Sequence, residues 1–314
     1  MKKILSVVVV LVLLCTLFLG TVAEEVGKPL KVAYIPNSMS NESLAYGFKI
    51  LEQYAPDYNI EVTAFDGQFD PQVETAIITN AIGQGYDALI LCPSDINAVV
   101  PSLMEAKEAG LIVAMYAADL AEEYRELRDV FCGVNDNSAG EEAGKAFLEQ
   151  FPDGAKVVEI GGQAGTDAQN RRHDGFNAAI EGSNIEVLAY QACDAWATES
   201  AMKVMEDMIV KFGNELQGVF CHWDNGATGC IQALKNAGKE GVFMVAVDGN
   251  RAGFDQVLAG TQNVCISQSF KNMSIKTLEL IRAAADGKEF EALNFIPLDV
   301  VTKENIDTFD YPEW

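Results

Sequence analysis

The sequence contains very little histidine and comparatively little positive charge. It has 2 histidines in 314 residues, and its 22 lysine and arginine residues face 46 aspartate and glutamate residues, which gives a formal net charge of −24. Neither His173 nor His222 has a neighbour at the spacing of a zinc site, and no Cys-x-x-Cys pair is present. The acidic excess opposes binding to nucleic acid phosphates and to anionic membranes. We therefore expect no metal site and no nucleic acid partner.

Sequence signatures of common enzymes and of nucleotide-binding proteins are also missing. The chain has no Gly-x-Ser-x-Gly elbow and no His-Glu-x-x-His motif. The glycine-rich segment Gly161-Gly162-Gln163-Ala164-Gly165 lacks the spacing of a dinucleotide fingerprint or a P-loop. We therefore expect no cofactor. An exported carbohydrate-active enzyme is a less favoured alternative, and it would need two carboxylates at a productive separation, for which Asp119 and Asp248 are the candidates.

Long apolar runs are confined to the N-terminus. Two lysines precede an apolar stretch over residues 4–20, and the small-residue segment 21–23 follows it. This pattern is typical of a cleaved secretory signal, so we expect an exported protein that loses residues 1–23. An uncleaved anchor is one alternative. Lipid attachment at Cys15 is another, and the large Leu14 before the cysteine disfavours it.

Six cysteines follow the predicted signal. They are Cys92, Cys132, Cys193, Cys221, Cys230 and Cys265. An even number in an exported protein permits disulfides, but most of these cysteines lie in apolar, strand-like runs. Buried free thiols are the commoner meaning of that setting, and a chain of this length does not need disulfides for stability. We therefore favour free thiols.

From Leu30 onward, short apolar runs alternate with amphipathic segments. The pattern predicts strands such as Leu30–Pro36, helices that begin at Ala139, Asn170 and Ser274, and one final strand over Leu293–Val301. Regular alternation of this kind is typical of parallel sheets with helices on both faces. About ten predicted strands exceed what one sheet holds comfortably. The sequence therefore predicts an α/β protein with two similar sheets.

Polar and aromatic side chains follow many of the predicted strands. In open parallel sheets, ligands bind at the carboxyl ends of the strands, and these ends carry carboxylates, amides, arginine and tryptophan. Such groups suit the hydroxyls of a polyol, and indoles suit the C–H faces of a sugar ring. An anion would require more cations and fewer carboxylates. The sequence therefore favours a neutral sugar or a related polyol.

Several of these residues have a purely structural alternative. Asp136 precedes a helical run and is a candidate helix cap. Asp224 either caps the helix that follows it or contacts the ligand. Trp196 and Trp223 belong either to the core or to the ligand cleft. The sequence leaves these alternatives open.

Six short segments at the predicted strand ends carry a family resemblance. They are Pro93-Ser94-Asp95, Asp136-Asn137-Ser138-Ala139-Gly140, Arg172-His173-Asp174-Gly175-Phe176, Trp223-Asp224 with Gly229, Val247-Asp248-Gly249 and Ile266-Ser267-Gln268. In this order, behind an export signal, the chain resembles the type I periplasmic binding proteins, in particular the ribose and galactose cluster of ABC-transporter sugar receptors. The resemblance covers essentially the whole chain after the signal.

The resemblance implies a ligand pocket between two lobes. Its residues would be Asn37, Asn41, Asp119, Arg172, Trp196, Trp223, Asp248 and Gln268. We retain Asp224 as a further candidate. In the family, the matching arginine and aspartate hydrogen-bond ring hydroxyls, and the residue that matches Trp196 packs against the sugar ring.

Three departures distinguish the chain from ribose receptors. Ser43-Leu44 stand where the ribose-type first loop carries paired aromatic residues. Leu120, instead of arginine, follows Asp119, and a tryptophan, instead of a small amide, precedes Asp224. We therefore expect a pocket that differs from a ribose pocket.

The architecture implied by the resemblance is a pair of doubly wound parallel-sheet lobes joined by a hinge of three chain crossings. The N-terminal lobe would comprise residues 24–134 and 269–297, and the C-terminal lobe residues 135–268 and 298–314. The lobes would close on the ligand. Trp196 and Trp223 are expected to lie in the cleft and Trp314 away from it.

The function implied by the resemblance is that of a non-catalytic, exported receptor. It would bind a small neutral sugar or polyol and deliver it to an ABC-type permease. We expect a monomer, with a chemoreceptor as a secondary candidate partner. A sensory module that reports to a chemoreceptor or a membrane kinase is the alternative, because such a module would have the same sequence features.

Overall fold

Two α/β lobes make up the part of the chain that the structure describes. The computed structural model describes residues 28–314, so the predicted export signal and Cys15 lie outside the described residues. Each lobe contains a six-stranded sheet with helices packed on both faces. Among the described residues, no helix is both long and apolar enough to cross a membrane. The predicted fold class is confirmed.

The first sheet belongs to the N-terminal lobe and has the order β11-β5-β4-β3-β1-β2. Its strands are β1 (Leu30–Pro36), β2 (Ile60–Ala64), β3 (Ala88–Cys92), β4 (Ile112–Tyr116), β5 (Val130–Gly133) and β11 (Leu293–Phe295). All of its strand pairs are parallel. The helices of this lobe are α1 (Glu42–Tyr54), α2 (Pro71–Gly83), α3 (Val100–Glu108) and α9 (Phe270–Ala285).

The second sheet repeats this arrangement in the order β12-β10-β9-β8-β6-β7. Its strands are β6 (Ala155–Gln163), β7 (Ile185–Cys193), β8 (Gly218–Cys221), β9 (Phe243–Asp248), β10 (Val264–Gln268) and β12 (Leu298–Thr302). Only β12 runs antiparallel to its neighbour, β10. The helices of this lobe are α4 (Asp136–Gln150), α5 (Asp167–Ile180), α6 (Thr198–Phe212), α7 (Asp224–Asn236) and α8 (Arg251–Ala259).

The strands are apolar along their whole length because both faces of each sheet are covered. In β1, Val32 and Tyr34 pack into one hydrophobic cluster, and Ala33 and Ile35 pack into another on the opposite face. Side chains alternate between the two faces of a strand, so a continuous apolar run fills both layers. The sheets are therefore rigid supports, and their loops are free to carry polar residues.

The chain passes between the two sheets three times. It leaves β5 at Gly133 for α4, leaves β10 at Gln268 for α9, and passes from β11 to β12 between Phe295 and Leu298. These connections place the carboxyl ends of both sets of parallel strands opposite each other. The residue boundaries of the lobes stay a prediction.

The observed elements differ from the predicted ones mainly at helix starts and in the C-terminal segment. Three helices begin one turn earlier than the apolar periodicity indicates, and α9 does so because the Ser269 side chain accepts the N–H of Asn272 at 3.2 Å. The predicted final strand is two strands, one in each sheet. Pro297 lies between them and lacks the N–H needed to continue a strand ladder.

Candidate functional site

The carboxyl ends of the two sheets enclose a cavity between the lobes. It has about 550 Å³ of empty space, part of it open to solvent. Residues of both lobes line it. They are Asn37, Asn41, Ser43, Leu44, Cys92, Pro93, Ala117, Ala118, Thr166, Ala168, Arg172, Trp196, Trp223, Asp248, Gln268 and Phe270.

Seven of the residues predicted from the sequence lie together in this cavity. They are Asn37, Asn41, Arg172, Trp196, Trp223, Asp248 and Gln268. They come from six segments that are far apart in the sequence. The fold therefore brings the candidate set together, and the contact of each residue with a ligand stays a prediction.

Arg172 is held rigidly at the floor of the cavity. It lies on α5 and is 4% exposed. Its Nε donates to the Asp136 carboxylate at 2.8 Å, and its Nη1 donates to the carbonyl oxygen of His222. Its guanidinium also lies 5.8 Å from the ring centroid of Trp196. Two fixed bonds and an aromatic contact leave Nη2 as the free donor, already oriented before a ligand arrives.

Asp248 supplies a carboxylate at the end of β9. Its Oδ1 accepts a hydrogen bond from Gln268 Nε2 at 2.7 Å. Burial raises the pKa of Asp248 to about 7, and the positive charge of Arg172 opposes this rise. The backbone of Asp248 has φ +135°, a conformation that non-glycine residues rarely adopt. Strained backbone of this kind concentrates at functional sites.

Two tryptophans form the aromatic part of the cavity. Trp196 and Trp223 meet edge to face, with centroids 5.3 Å apart and planes at 81°. Each lies over a glycine: a Cβ on Gly162 would come within 2.1 Å of the Trp196 ring, and a Cβ on Gly226 within 2.5 Å of the Trp223 ring. The glycine-rich segment at the end of β6 therefore makes room for an indole.

The loop after β1 contributes two amides. The Asn37 Oδ1 accepts the N–H of Ser38 at 2.7 Å, and the Asn41 Oδ1 accepts the Ser43 hydroxyl at 2.7 Å. The Asn37 carbonyl also accepts the N–H of Phe69 at 2.7 Å, which ties this loop to the next one. Both amide nitrogens remain available as donors at the edge of the cavity.

Among the cavity residues, the buried Nε1 of Trp223 has no hydrogen-bond partner within residues 28–314, although buried polar groups are normally satisfied. The side-chain bonds of the other polar residues use Oδ1 of Asn37, Oδ1 of Asn41, Nε and Nη1 of Arg172, Oδ1 of Asp248 and Nε2 of Gln268. The second amide or carboxylate atom of each, and Nη2 of Arg172, are therefore left for a ligand. A ligand that offers both donors and acceptors would satisfy these atoms.

Asp119 does not line the cavity, contrary to the prediction. Its carboxylate accepts two bonds from Arg128, Nε to Oδ1 at 2.5 Å and Nη2 to Oδ2 at 3.1 Å. Arg125 lies 3.3 Å away. Leu120, which directly follows Asp119, carries no charge, and the two arginines next to the carboxylate stand farther along the chain. These arginines turn the carboxylate away from the cavity.

Asp224 is also placed outside the cavity. It is the first residue of α7, but its side chain does not cap that helix. Its Oδ2 accepts the N–H of Gly249 at 2.8 Å and its Oδ1 accepts Gln262 Nε2 at 2.9 Å. Asp224 therefore neither caps the helix nor lines the cavity; instead it fixes the loop that follows Asp248. Asp136 likewise binds Arg172 and makes no side-chain cap bond.

Trp314 lies at the cleft, and the expectation that it lies away from the cleft is wrong. Its ring stacks on Tyr46 of α1, with centroids 5.5 Å apart, and meets Phe270 edge-on at 5.3 Å. The N–H of Arg251 donates to its carbonyl at 2.6 Å. The C-terminal segment therefore crosses from the second lobe to the first, and Trp314 borders the outer cleft with Trp196 and Trp223.

The apolar side of the cavity was not predicted from the sequence. The lining residues that were not predicted are Ser43, Leu44, Cys92, Pro93, Ala117, Ala118, Thr166, Ala168 and Phe270, of which only Ser43 and Thr166 are polar. Several directly follow β3, β4 or β10, so their position at strand ends was the available signal. Apolar residues have no chemical pattern that separates a cavity wall from a core.

Within residues 28–314, no group of three or more His, Cys, Asp or Glu is placed to hold a metal ion. The six cysteines of this part of the chain are buried and unpaired. The cavity is lined by amides, one carboxylate, one guanidinium and aromatic rings, and groups of this kind suit binding by hydrogen bonds and packing.

A sequence model of the family described as periplasmic binding protein domain matches residues 32–289, which is most of the chain. The chain belongs to this family. Members bind solutes and do not catalyse reactions, so the prediction of a non-catalytic, extracytoplasmic solute receptor is confirmed.

Curated relatives agree with the assignment of this protein to the periplasmic binding protein family, and solved structures share its fold. It is 26% identical over 306 residues to the ribose import binding protein of Salmonella typhimurium, covering 97% of this chain and 99% of the relative. It is 26% identical over 263 residues to the xylitol-binding protein of Mycolicibacterium smegmatis, covering 82% and 73%. Among solved structures, it resembles a galactofuranose binding protein with a TM-score of 0.84 at 22% identity, covering 89% and 97%. The Caulobacter myo-inositol binding protein has a TM-score of 0.82 at 19% identity, covering 89% and 95%.

Proposed function

We propose that this protein binds a small neutral sugar or polyol between its lobes and delivers it to an ABC-type permease. One observation carries the proposal: amide, carboxylate and guanidinium side chains from both lobes line a cavity that also presents two indoles, and the buried indole N–H of Trp223 has no protein partner among the described residues. Sugars and polyols combine hydroxyls, which donate and accept, with apolar C–H faces. The relatives named for ribose and xylitol support the same ligand class.

The charges of the cavity favour a neutral ligand over an ion. Asp248 would repel an anion, and Arg172 would repel a cation, so a ligand of either charge would meet a like charge in the cavity. In the proposed complex, hydroxyls donate to Asp248 and accept from Arg172, and both bonds are charge-assisted. Trp196 and Trp223 pack against the ring, and Asn37, Asn41 and Gln268 bind the remaining hydroxyls.

Ligand binding is proposed to close the hinge formed by the three crossings. The proposed lobes are residues 24–134 with 269–297, and residues 135–268 with 298–314. Polar groups come from both lobes, so only the closed form makes every bond, and a ligand shifts the population toward that form. The closed form is what a permease would recognise. A monomeric state, contact with a chemoreceptor, and export with removal of residues 1–23 complete the proposal.

Thermal-shift screening and calorimetry of the purified protein test the ligand class. A panel of pentoses, hexoses and polyols should contain members that raise the melting temperature, because a ligand that binds only the folded state stabilises it. Saturation should also reduce the radius of gyration in solution scattering and change the tryptophan emission. Stabilisation by amino acids or metal ions, with no effect of any sugar or polyol, would contradict the proposal.

A further inference from the structure

The two walls of the cavity differ in polarity. The C-terminal lobe and the hinge contribute Thr166, Arg172, Asp248 and Gln268, together with the two indoles. Most of the opposite wall, on the N-terminal lobe, is apolar. It consists of Leu44, Cys92, Pro93, Ala117, Ala118 and the adjoining Phe270.

Two tyrosine hydroxyls next to residues of the apolar wall are committed to protein partners. The Tyr34 hydroxyl donates to the carbonyl of Leu44 at 2.9 Å, and the Tyr116 hydroxyl bonds to Ser274 at 2.8 Å. Asp119, which follows the wall segment 117–118, is held by Arg128. Burial raises the pKa of the Cys92 thiol, so this side chain stays neutral and is only a weak donor.

The remaining polar groups of the N-terminal lobe lie at one edge of this wall. Asn37, Asn41 and Ser43 all belong to the loop after β1 and the start of α1. They are candidates for hydroxyls at that edge. A hydroxyl that pointed at Ala117, Ala118 or Pro93 would have no side-chain partner there.

The backbone at Ala117 is a second sign that this wall is built for an apolar group. Ala117 has φ +59°, a left-handed conformation in which glycine or asparagine is the usual residue. An alanine there carries conformational strain and adds a methyl group to the cavity wall. Its N–H donates to the carbonyl of Cys132 at 3.0 Å, which fixes the segment.

We infer that the ligand has a methyl group in place of a hydroxymethyl at the end that faces this wall, as in a 6-deoxyhexose. The inference rests on the proposed function and specifies its ligand. The hydroxyls of the ring face Arg172, Asp248 and Gln268, and the methyl group lies against Ala117, Ala118 and Leu44. A hydroxyl in that place would lose its water and gain no side-chain partner.

Calorimetry with matched sugar pairs tests the inference. The pairs are D-fucose with D-galactose, L-fucose with L-galactose, and L-rhamnose with L-mannose, which differ only in the hydroxyl at carbon 6. We expect a 6-deoxy sugar to bind roughly ten- to a hundredfold more tightly than its partner, the usual range for one hydroxyl in an apolar pocket. Equal or tighter binding of the hexoses would overturn the inference and leave the proposed function standing. Absence of binding by every sugar and polyol would overturn both.

Two conservative substitutions locate the contact. Ala118→Ser and Cys92→Ser each add a hydroxyl to the wall with little change in volume. We expect either substitution to reduce the preference for the 6-deoxy sugar about tenfold. The carbon 6 hydroxyl of the hexose would gain a hydrogen-bond partner, and one such bond changes affinity by roughly that factor. Ala121→Ser, in the same segment as Ala118 but not in the cavity wall, should leave the preference unchanged. Thermal denaturation of each variant verifies its fold. A preference that persists unchanged in both wall variants would overturn the assignment of the methyl group to this wall.

Discussion

The two lobes share one strand order but have different interiors. Both sheets place their first strand second from the edge and end on a strand contributed by the C-terminal segment. The buried charged residues of the N-terminal lobe are Glu74 and Asp119. Those of the C-terminal lobe are more numerous, namely Asp136, Glu159, Asp167, Arg172, Asp224 and Asp248, and the buried His222 accompanies them.

The buried groups of the C-terminal lobe form connected layers beneath the cavity. Glu159 contacts His222 and His173, each at 2.9 Å, and the carbonyl of His222 in turn accepts a bond from Arg172. Burial raises the pKa of Glu159 to about 9 and lowers the pKa of His222, so both shifts favour uncharged forms. Such a network holds the polar recognition groups in place before ligand binding.

The difference in buried charged residues indicates that the two lobes contribute different kinds of groups to the site. The C-terminal lobe carries oriented charges and the larger share of hydrogen-bonding groups, and the N-terminal lobe carries an apolar wall with amides at one edge. Similar topology therefore does not imply similar contributions to the site, because loops at the strand ends vary independently of the sheets.

The largest expected effect is on the stability of the C-terminal lobe. Asp224→Ala removes the acceptor for Gly249, Gln262 and Cys265 and leaves buried donors unpaired, so we expect the free energy of unfolding to fall by about 3–5 kcal/mol. Urea denaturation followed by circular dichroism measures this. Asp207→Ala, an exposed acid on α6, is the matched control and should change stability little. Equal effects of the two substitutions would contradict the structural role of Asp224.

The next effect, on ligand affinity, compares an aspartate of the C-terminal lobe with one of the N-terminal lobe. Asp248→Asn removes the charge from an acceptor in the cavity, and we expect a loss of roughly 2–3 kcal/mol in binding, or about 30- to 150-fold in Kd. Asp119→Asn, which changes a carboxylate bound to Arg128 outside the cavity, should leave Kd within about twofold. Calorimetry with the ligand found by screening measures both. A large loss of affinity in Asp119→Asn and a small one in Asp248→Asn would restore the prediction that Asp119 contacts the ligand. Substitution of Arg172 is a less suitable test of ligand contact, because it would leave Asp136 buried without a partner.

Ligand affinity should increase as the pH rises through about 7. The pKa of Asp248 is raised to about 7 by burial, with Arg172 opposing and Asp224 adding to the shift, so the carboxyl is protonated at lower pH and accepts ligand hydroxyls less well. We expect affinity to rise by roughly tenfold in total between pH 6 and pH 8, because one ionisation with a pKa of about 7 controls it. Calorimetry between pH 6 and 8 measures it, and Asp248→Asn should flatten the profile. An unchanged slope in that variant would assign the effect to another group.

The stability of the ligand-free protein should respond to Asp248 with the opposite sign. The folded pKa lies above the ordinary aspartate value, so the contribution is complete below about pH 4 and is lost as the pH rises through the folded pKa. Glu74, whose pKa burial also raises to about 7, acts in the same direction. Comparison of wild type with Asp248→Asn in urea at several pH values separates the two contributions.

The smallest effect concerns the C-terminal segment that joins the lobes. Trp314→Ala removes the stacking on Tyr46 and the edge contact with Phe270, and we expect a cost of about 1 kcal/mol in stability. We also expect ligand binding to weaken by about fivefold, because the contact spans the cleft. Tyr311→Phe, which removes only an exposed hydroxyl bond to Asp255, is the control. Wild-type tryptophan emission should then include a ligand-dependent contribution from Trp314, which a Trp314→Phe variant would lack.

Much of the architecture follows from local sequence patterns. Apolar runs such as Leu30–Pro36 predict strands because only residues buried on both sides of a sheet are continuously apolar. Helix starts such as Asp136 are harder to predict from the sequence, because polar residues in the first turn do not show the apolar periodicity. The split of the final strand depends on which sheet each half joins, and local patterns do not record partners.

The sequence by itself determined the alternation of strands and helices, the two-sheet fold and the strand-end positions that converge on one cavity, since periodicity and strand direction are local properties. Only the tertiary structure decided which polar groups remain unpaired. Asp119 is neutralised by Arg128, nine residues later, and Asp224 is bound by a loop from β9 and a residue before β10. Trp314 reaches the cleft because the C-terminal segment packs against α1. A side chain becomes available to a ligand only when the folded protein leaves it without a partner, and that depends on neighbours that are distant in sequence.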